Sequence, residues 1–186
     1  MKSKNRCHWV NLKNLSYIDY HDNEWGKPVH HDQKHFENLI LEGAQAGLSW
    51  ETILNKRDNY RDFFHNFDPK KIAKLTDQQL EAILESPLIV RHRLKIYSVR
   101  KNAIAFLKIQ KEFESFNKFI WSFTDNQTIS YSPKKTNSIC LQISKTLKKY
   151  GFSFVGETII ESYLMASGII QAHDKKCYLF NRKLIK

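Results

Sequence analysis

Helical periodicity runs through almost the whole chain, and only 6 glycines and 4 prolines interrupt its 186 residues. That combination is the strongest constraint on the fold. An all-β chain needs turn residues every few positions, and this one lacks them. From Lys34 to Glu42 the apolar residues Phe36, Leu39 and Ile40 fall on one helical face. A short AGLSW loop follows. From Trp50 the spacing of Ile53, Leu54, Tyr60, Phe63, Phe64 and Phe67 predicts a second helix. Asp68-Pro69 reads as a helix start, with proline where its missing N–H costs nothing. Thr76-Asp77-Gln78-Gln79 fits a capping box ahead of Leu80, Ile83 and Leu84, and Pro87 ends that helix. A basic helix is expected from about Arg93 to Lys111 and a short one from Phe116 to Phe123. Thr124 to Thr136 is polar and reads as a loop. Helices resume near Ile139, stop at Gly151, and a last one, capped at Thr158, runs to Ala166 before Gly168. The expectation is an all-α fold of about eight helices in a single domain over 1–186.

Composition narrows the class. Hydrophobic residues make up 41% and aromatics 13%, too much for a disordered chain. No apolar run approaches the roughly 18 residues a membrane span needs. The basic N-terminus MKSKNRCHWVNLKN has no apolar stretch after it, so no secretory signal is read there. A soluble, cytoplasmic protein without a membrane partner is expected, with a monomer as the default. Three scattered cysteines, Cys7, Cys140 and Cys177, do not make a disulfide framework. Thirty Lys and Arg against 19 Asp and Glu give a formal charge of +11. Such a charge suits a polyanion, nucleic acid above all, and equally suits a lysine-rich solvated surface.

Three constellations carry chemistry. In LKKYGFSFVGETIIESYLMASGI, a helix ends at Gly151, a turn contains Val155 and Gly156, and a helix follows. Such a hairpin, over about 139–168, turns backbone N–H groups and a helix dipole outward, where they can bind phosphate without reading a base. Lys148 and Lys149 on the incoming helix would reinforce it. An ordinary αα-hairpin packed into the core has the same pattern.

Second, His173 and Cys177 stand at i and i+4, and Cys7 and His21 lie near the other end of the chain. Two thiols and two imidazoles make a tetrahedral zinc set, closed and therefore structural. Spacing alone favours four unrelated residues, because zinc-finger ligands are local. His8, His30, His31, His35, His65 and His92 have no matching cysteine and read as surface or core residues.

Third, Glu42 ends the apolar stretch LILEG, and Trp9, Tyr17, Tyr20, Trp25 and Trp50 surround it in sequence. An unpaired buried carboxylate is costly, so it needs a partner or a ligand. Each aromatic alone is best read as core. Together, flat rings and one acid suit a purine, and a cationic purine better still.

The ordered series CHWV, YHDNEWGKPV, LEGAQAGLSWETILNKRDNYR, FDPKKIA, IVRHRLKI, WSF, LKKYGFSFVGETI and HDKKC closely resembles the DNA-3-methyladenine glycosylase I family, from Cys7 to about Tyr178. The resemblance implies the two-lobed helical fold of the helix-hairpin-helix glycosylases, with zinc joining the N- and C-terminal segments. It implies a monofunctional glycosylase that flips 3-methyladenine out of alkylated double-stranded DNA and hydrolyses its N-glycosidic bond. The family's residues match one zinc on Cys7, His21, His173 and Cys177, with no organic cofactor. They match the base-contacting acid on Glu42, stacking rings on Tyr20 and Trp50, and a pocket lining of Trp9, Tyr17 and Trp25. Gly47 and Leu48 match the residues that fill the gap in the DNA stack, with the base expected between Trp50 and Tyr20. Gly151 to Gly156 match the hairpin.

The chain departs from the family at Gln171-Ala172, usually Asn-Asp, and at Glu157, often proline. No counterpart of the superfamily's sugar-stabilising aspartate is apparent; Asp174 is the nearest. Two other readings remain: a non-catalytic DNA-binding zinc protein using the hairpin, and a zinc hydrolase using His173 and Cys177.

Overall fold

The computed structural model describes residues 4–180, so both ends of the domain expected over 1–186 lie outside the described residues. Helix α1 (Leu15–Asn23) starts where the Asn14 side chain accepts from the Tyr17 N–H. Aliphatic periodicity does not announce it, because its buried residues are Tyr17, Tyr20 and His21. Helix α2 (Asp32–Gln45) buries Phe36, Leu39 and Ile40 as expected and extends beyond both anticipated ends. Ser49 caps α3 (Trp50–Phe63), accepting from the Thr52 N–H.

The second helix was expected to reach Phe67, but it ends at Phe63. His65, Asn66 and Phe67 take positive φ values of 49°, 53° and 59° in a tight 3₁₀ turn. That turn buries Phe64 and Phe67 together while reversing the chain. Asp68 and Pro69 then start α4 (Pro69–Ile72), as their residue types predict. The capping box of Thr76 and Gln79 is present, both hydrogen bonds made, at the head of α5 (Asp77–Glu85).

The long α6 (Arg93–Phe113) forms the central pillar, and α7 (Phe116–Trp121) follows. Asp32 of α2 accepts from the Phe116 and Asn117 N–H groups and so caps α7 from a distance. The stretch 124–136 is not all loop. Ile129–Ser130 form β1, and α8 (Pro133–Tyr150) begins six residues before the expected Ile139, with proline in its first turn. Gly151 ends α8 in the left-handed region. Helix α9 (Glu157–Ala166) is preceded by Gly156, so the cap expected at Thr158 lies one residue inside the helix. Ile170–Gln171 form β2, parallel to β1 with Ile129 opposite Ile170. Among the described residues there are nine α-helices rather than about eight, and one two-residue strand pair.

The apolar residues gather in separate clusters. The main core joins α2 to α9 around Phe36, Phe106 and Phe116, whose rings meet at 5.0 and 4.3 Å. Each such side chain contributes about 1.5–3 kcal/mol by leaving water. His35 is the core's buried polar node: Nδ1 lies 2.7 Å from the Tyr163 hydroxyl and Nε2 3.2 Å from Asn117 Oδ1. One smaller cluster joins the N-terminal segment to the chain after β2 around Cys7 and Cys177, and another joins α1 to α3 around Tyr20 and Leu54. Gly168 lets the chain leaving α9 pass close against the segment after α1. A Cβ there would stand 2.4 Å from the Lys27 carbonyl carbon, and its φ is +67°. None of the described helices is long and apolar enough to cross a membrane.

Candidate active site

A cavity of about 280 Å³ opens where α1, α2, α3 and α9 converge. It is lined by Trp9, Tyr17, Tyr20, Trp25, Glu42 and Trp50, the six residues expected from the sequence, together with Gln45, Ser162 and Met165. The last three had gone unread. Gln45 follows Glu42 by three positions and so shares its helical face, which is the signal that could have found it. Tyr17 and Tyr20 enter the wall through α1, three positions apart.

Glu42 is 5% exposed. Among the described residues no hydrogen bond reaches its carboxylate, and burial alone pushes its pKa up to about 8. Its proximity also raises the hydroxyl pKa of Tyr17 and Tyr20, secondary in both to burial. The Trp50 indole N–H is buried without a partner too. A carboxyl so placed can accept from a ligand's N–H edge, and once ionised it favours a cation. The rings of Tyr20 and Trp50 touch, with centroids 5.1 Å apart and planes at 40°. No gap wide enough for a flat base separates the two rings here, unlike the arrangement expected, since a stacked ring needs clearance on both faces. The two form one continuous wall.

Beside the cavity, Cys7, His21, His173 and Cys177 converge, their donor atoms all within 4.8 Å of one another. Cys7 Sγ lies 3.4 Å from His173 Nδ1, and Cys177 Sγ lies 3.5 Å from His21 Nε2 and 3.7 Å from His173 Nδ1. Tetrahedral zinc, with S and N ligands at about 2.3 and 2.0–2.1 Å, separates them by about 3.6 Å, so the set fits that ion. Supporting bonds surround the donors. His21 Nδ1 meets Asp22 at 2.8 Å, and Arg6 grips Asp22 with two bonds of 2.8 and 2.6 Å. Burial raises the Asp22 pKa, but Arg6 and His21 more than reverse this and hold it well below the usual carboxylate range. The Asp174 N–H donates to Cys7 Sγ, and the Leu179 N–H to Cys177 Sγ. Gly26 leaves room for His173: a Cβ there would come within 2.9 Å of Nε2.

The two sites share walls. Trp25 meets His173 edge-on at 4.7 Å, and Trp9 meets His21 at 5.3 Å. Asp174, the nearest candidate for a sugar-stabilising acid, instead accepts from His8 N and Nδ1 at 2.7 and 2.9 Å, and it does not line the cavity.

Gly47 and Leu48 are exposed after α2, Leu48 at 41%. Lys148 and Lys149 are exposed in the last turn of α8. Val155 is not available for contact: its side chain is buried in the core, and its carbonyl accepts from the Ser144 hydroxyl at 2.6 Å.

The family model described as methyladenine glycosylase matches residues 9–181. The chain belongs to the methyladenine glycosylase family. It is 45% identical over 179 residues to the DNA-3-methyladenine glycosylase of Haemophilus influenzae, covering 92% of this chain and 96% of that one. The fold agrees with a crystal structure of 3-methyladenine DNA glycosylase I at a TM-score of 0.88 and 44% identity, covering 94% of this chain and 99% of the other. A tyrosine-to-phenylalanine variant of such a glycosylase, solved in complex with 3-methyladenine, superposes at a TM-score of 0.87 with 36% identity, covering 94% and 96%.

Proposed function

We propose that this methyladenine glycosylase flips 3-methyladenine out of alkylated double-stranded DNA and hydrolyses its N-glycosidic bond, leaving an abasic site. The observation that carries the reading is Glu42, buried among rings in a cavity of a purine's scale with no hydrogen-bond partner among the described residues. Methylation at N3 makes the nucleobase cationic, so it departs as a neutral molecule and needs little acid help. Ionised Glu42 accepts from its N–H edge and attracts its charge. The Tyr20–Trp50 wall offers one face for stacking. Water adds to the anomeric carbon, the bond to the base breaks with its electron pair, and the water's second proton leaves to solvent. Glu42 thus holds the leaving group rather than activating water. The lining residues include no lysine, which supports hydrolysis without strand cleavage.

Leu48 would plug the vacated stack, and the α8–α9 turn, a helix-hairpin-helix, would hold a phosphate through its backbone with Lys148 and Lys149 beside it. One zinc on Cys7, His21, His173 and Cys177 would serve as a structural clasp. Four protein donors leave no position for a substrate, which counts against the zinc hydrolase reading. Glu42 in its cavity likewise counts against a non-catalytic binding module. We read the protein as a cytoplasmic monomer, in keeping with its free, buried thiols. The test is incubation with methylated duplex DNA. Release of 3-methyladenine, falling steeply as salt rises, is the expected result; DNA binding without release would leave only a binding module.

A further inference from the structure

Helix α6 lines neither the cavity nor the clasp, yet it holds both surface elements assigned to DNA. Near its start, Lys95 is buried, 8% exposed, and its ammonium donates to the Ala44 and Ala46 carbonyls at 2.9 and 2.6 Å. Those carbonyls close α2 directly before Gly47 and Leu48. The last turn of α2 has no basic residue of its own, so Lys95 supplies the cation that end of the helix favours. Seven residues on, Asn102 is 3% exposed and clamps the hairpin turn twice. Its amide donates to the Ser153 carbonyl at 3.0 Å and accepts from the Ser153 N–H at 2.8 Å. Two helical turns separate the anchors, which places them on one face of α6 about 10 Å apart along its axis.

We propose that α6 acts as a ruler between the two DNA contacts. Lys95 sets where Leu48 enters the duplex, and Asn102 sets where the hairpin holds the backbone. The inference rests on the wedge and hairpin roles given above and adds two positioning residues to them. It accounts for a buried ammonium spent on two carbonyls, with no carboxylate of the described residues within bonding distance. Phe154, next to the clamped serine, also packs against Gly43, where a Cβ would stand 3.2 Å from it, so the two elements already meet behind the contact surface.

The experiment compares Lys95→Met, Lys95→Arg, Asn102→Leu and Leu48→Ala on one lesion placed in a duplex and in a single strand. Single-turnover rate, KM and binding of free 3-methyladenine are measured. Lys95→Met is expected to slow single-turnover excision from duplex about tenfold, with KM and free-base binding unchanged, and the defect should shrink to less than about twofold on the single strand. Lys95→Arg, which keeps the cation, should recover most of the rate. Asn102→Leu should raise KM for duplex with little change in single-turnover rate. Equal losses on both DNA forms, or no loss on duplex, would overturn the ruler. Should one variant fail to fold, seen as lost free-base binding, the other anchor's rate-against-KM split decides. Unchanged duplex excision by Leu48→Ala would sink the wedge itself, a failure separate from that of the ruler.

Discussion

The cavity and the clasp stand side by side, share Trp9 and Trp25, and draw on the same helix α1, yet they are built on opposite principles. In the clasp every donor meets another donor, and Asp22, Arg6 and two backbone N–H groups support the set from outside. In the cavity neither the central acid nor the Trp50 indole has a hydrogen-bond partner among the described residues. One region spends polar groups on closure. The other tolerates their desolvation, since an unsatisfied buried group becomes useful only when a ligand arrives. On the proposed reading, the contrast separates the part that would hold the chain together from the part that would wait for substrate.

The sharpest way to break the comparison is Glu42→Gln. Base release from methylated DNA should fall by about 10²–10³, while zinc stays at one per chain by elemental analysis. Undiminished release would remove Glu42 from the chemistry. Next is the clasp. Cys7→Ser should abolish zinc retention and lower the melting midpoint by roughly 10 °C, corresponding to about 3 kcal/mol or more. Calorimetry with and without a chelator checks this. A variant that loses activity at full stability would mean the clasp is not structural. Asp22→Asn should weaken zinc affinity by about 10- to 100-fold in a chelator competition without changing the fold, since Asp22 only orients His21.

Two smaller effects depend on pH, and their signs differ. Glu42 is pushed up to about 8 by burial, so the folded state holds a proton the unfolded one releases near 4.5. Its presence therefore costs stability increasingly as pH rises from about 4.5 to 8. Chemical unfolding should find Glu42→Gln more stable than the parent by a few kcal/mol at pH 8 and no different at pH 4. His35 is shifted the other way, down to about 4 by burial. The folded state binds fewer protons there, so stability falls as pH drops from about 6.5 toward 4. The parent should lose about 2 kcal/mol more than His35→Gln between pH 7 and 5. Parallel pH profiles for the two proteins would mean that His35 titrates normally.

Much of this was legible from residues a few positions apart. The cap at Asp68, the capping box at Thr76 and the stop at Gly151 are local devices, decided by one side chain and the next few N–H groups. The six pocket residues also stood out, because an acid ending an apolar helix amid tryptophans is chemically odd. What stayed hidden were features whose partners come from afar. Helix α1 has an i, i+3, i+4 face of Tyr17, Tyr20 and His21, which counts as apolar only once the clasp and cavity bury it. The left-handed turn after Phe63 follows from burying Phe64 and Phe67 in one core. The Tyr20–Trp50 contact and the buried Val155 are matters of side-chain packing that spacing does not encode.

Periodicity, residue type and family motif determined an all-helical chain with one acid among rings and a set of sulfur and nitrogen donors. Tertiary structure alone decided how closely Cys7 and His173 approach across 166 positions, that no described residue donates to Glu42, and that one face of α6 grips two separate loops. The reason is range. Helix and cap preferences act within about four residues, whereas closing a contact across most of the chain depends on how the whole core packs.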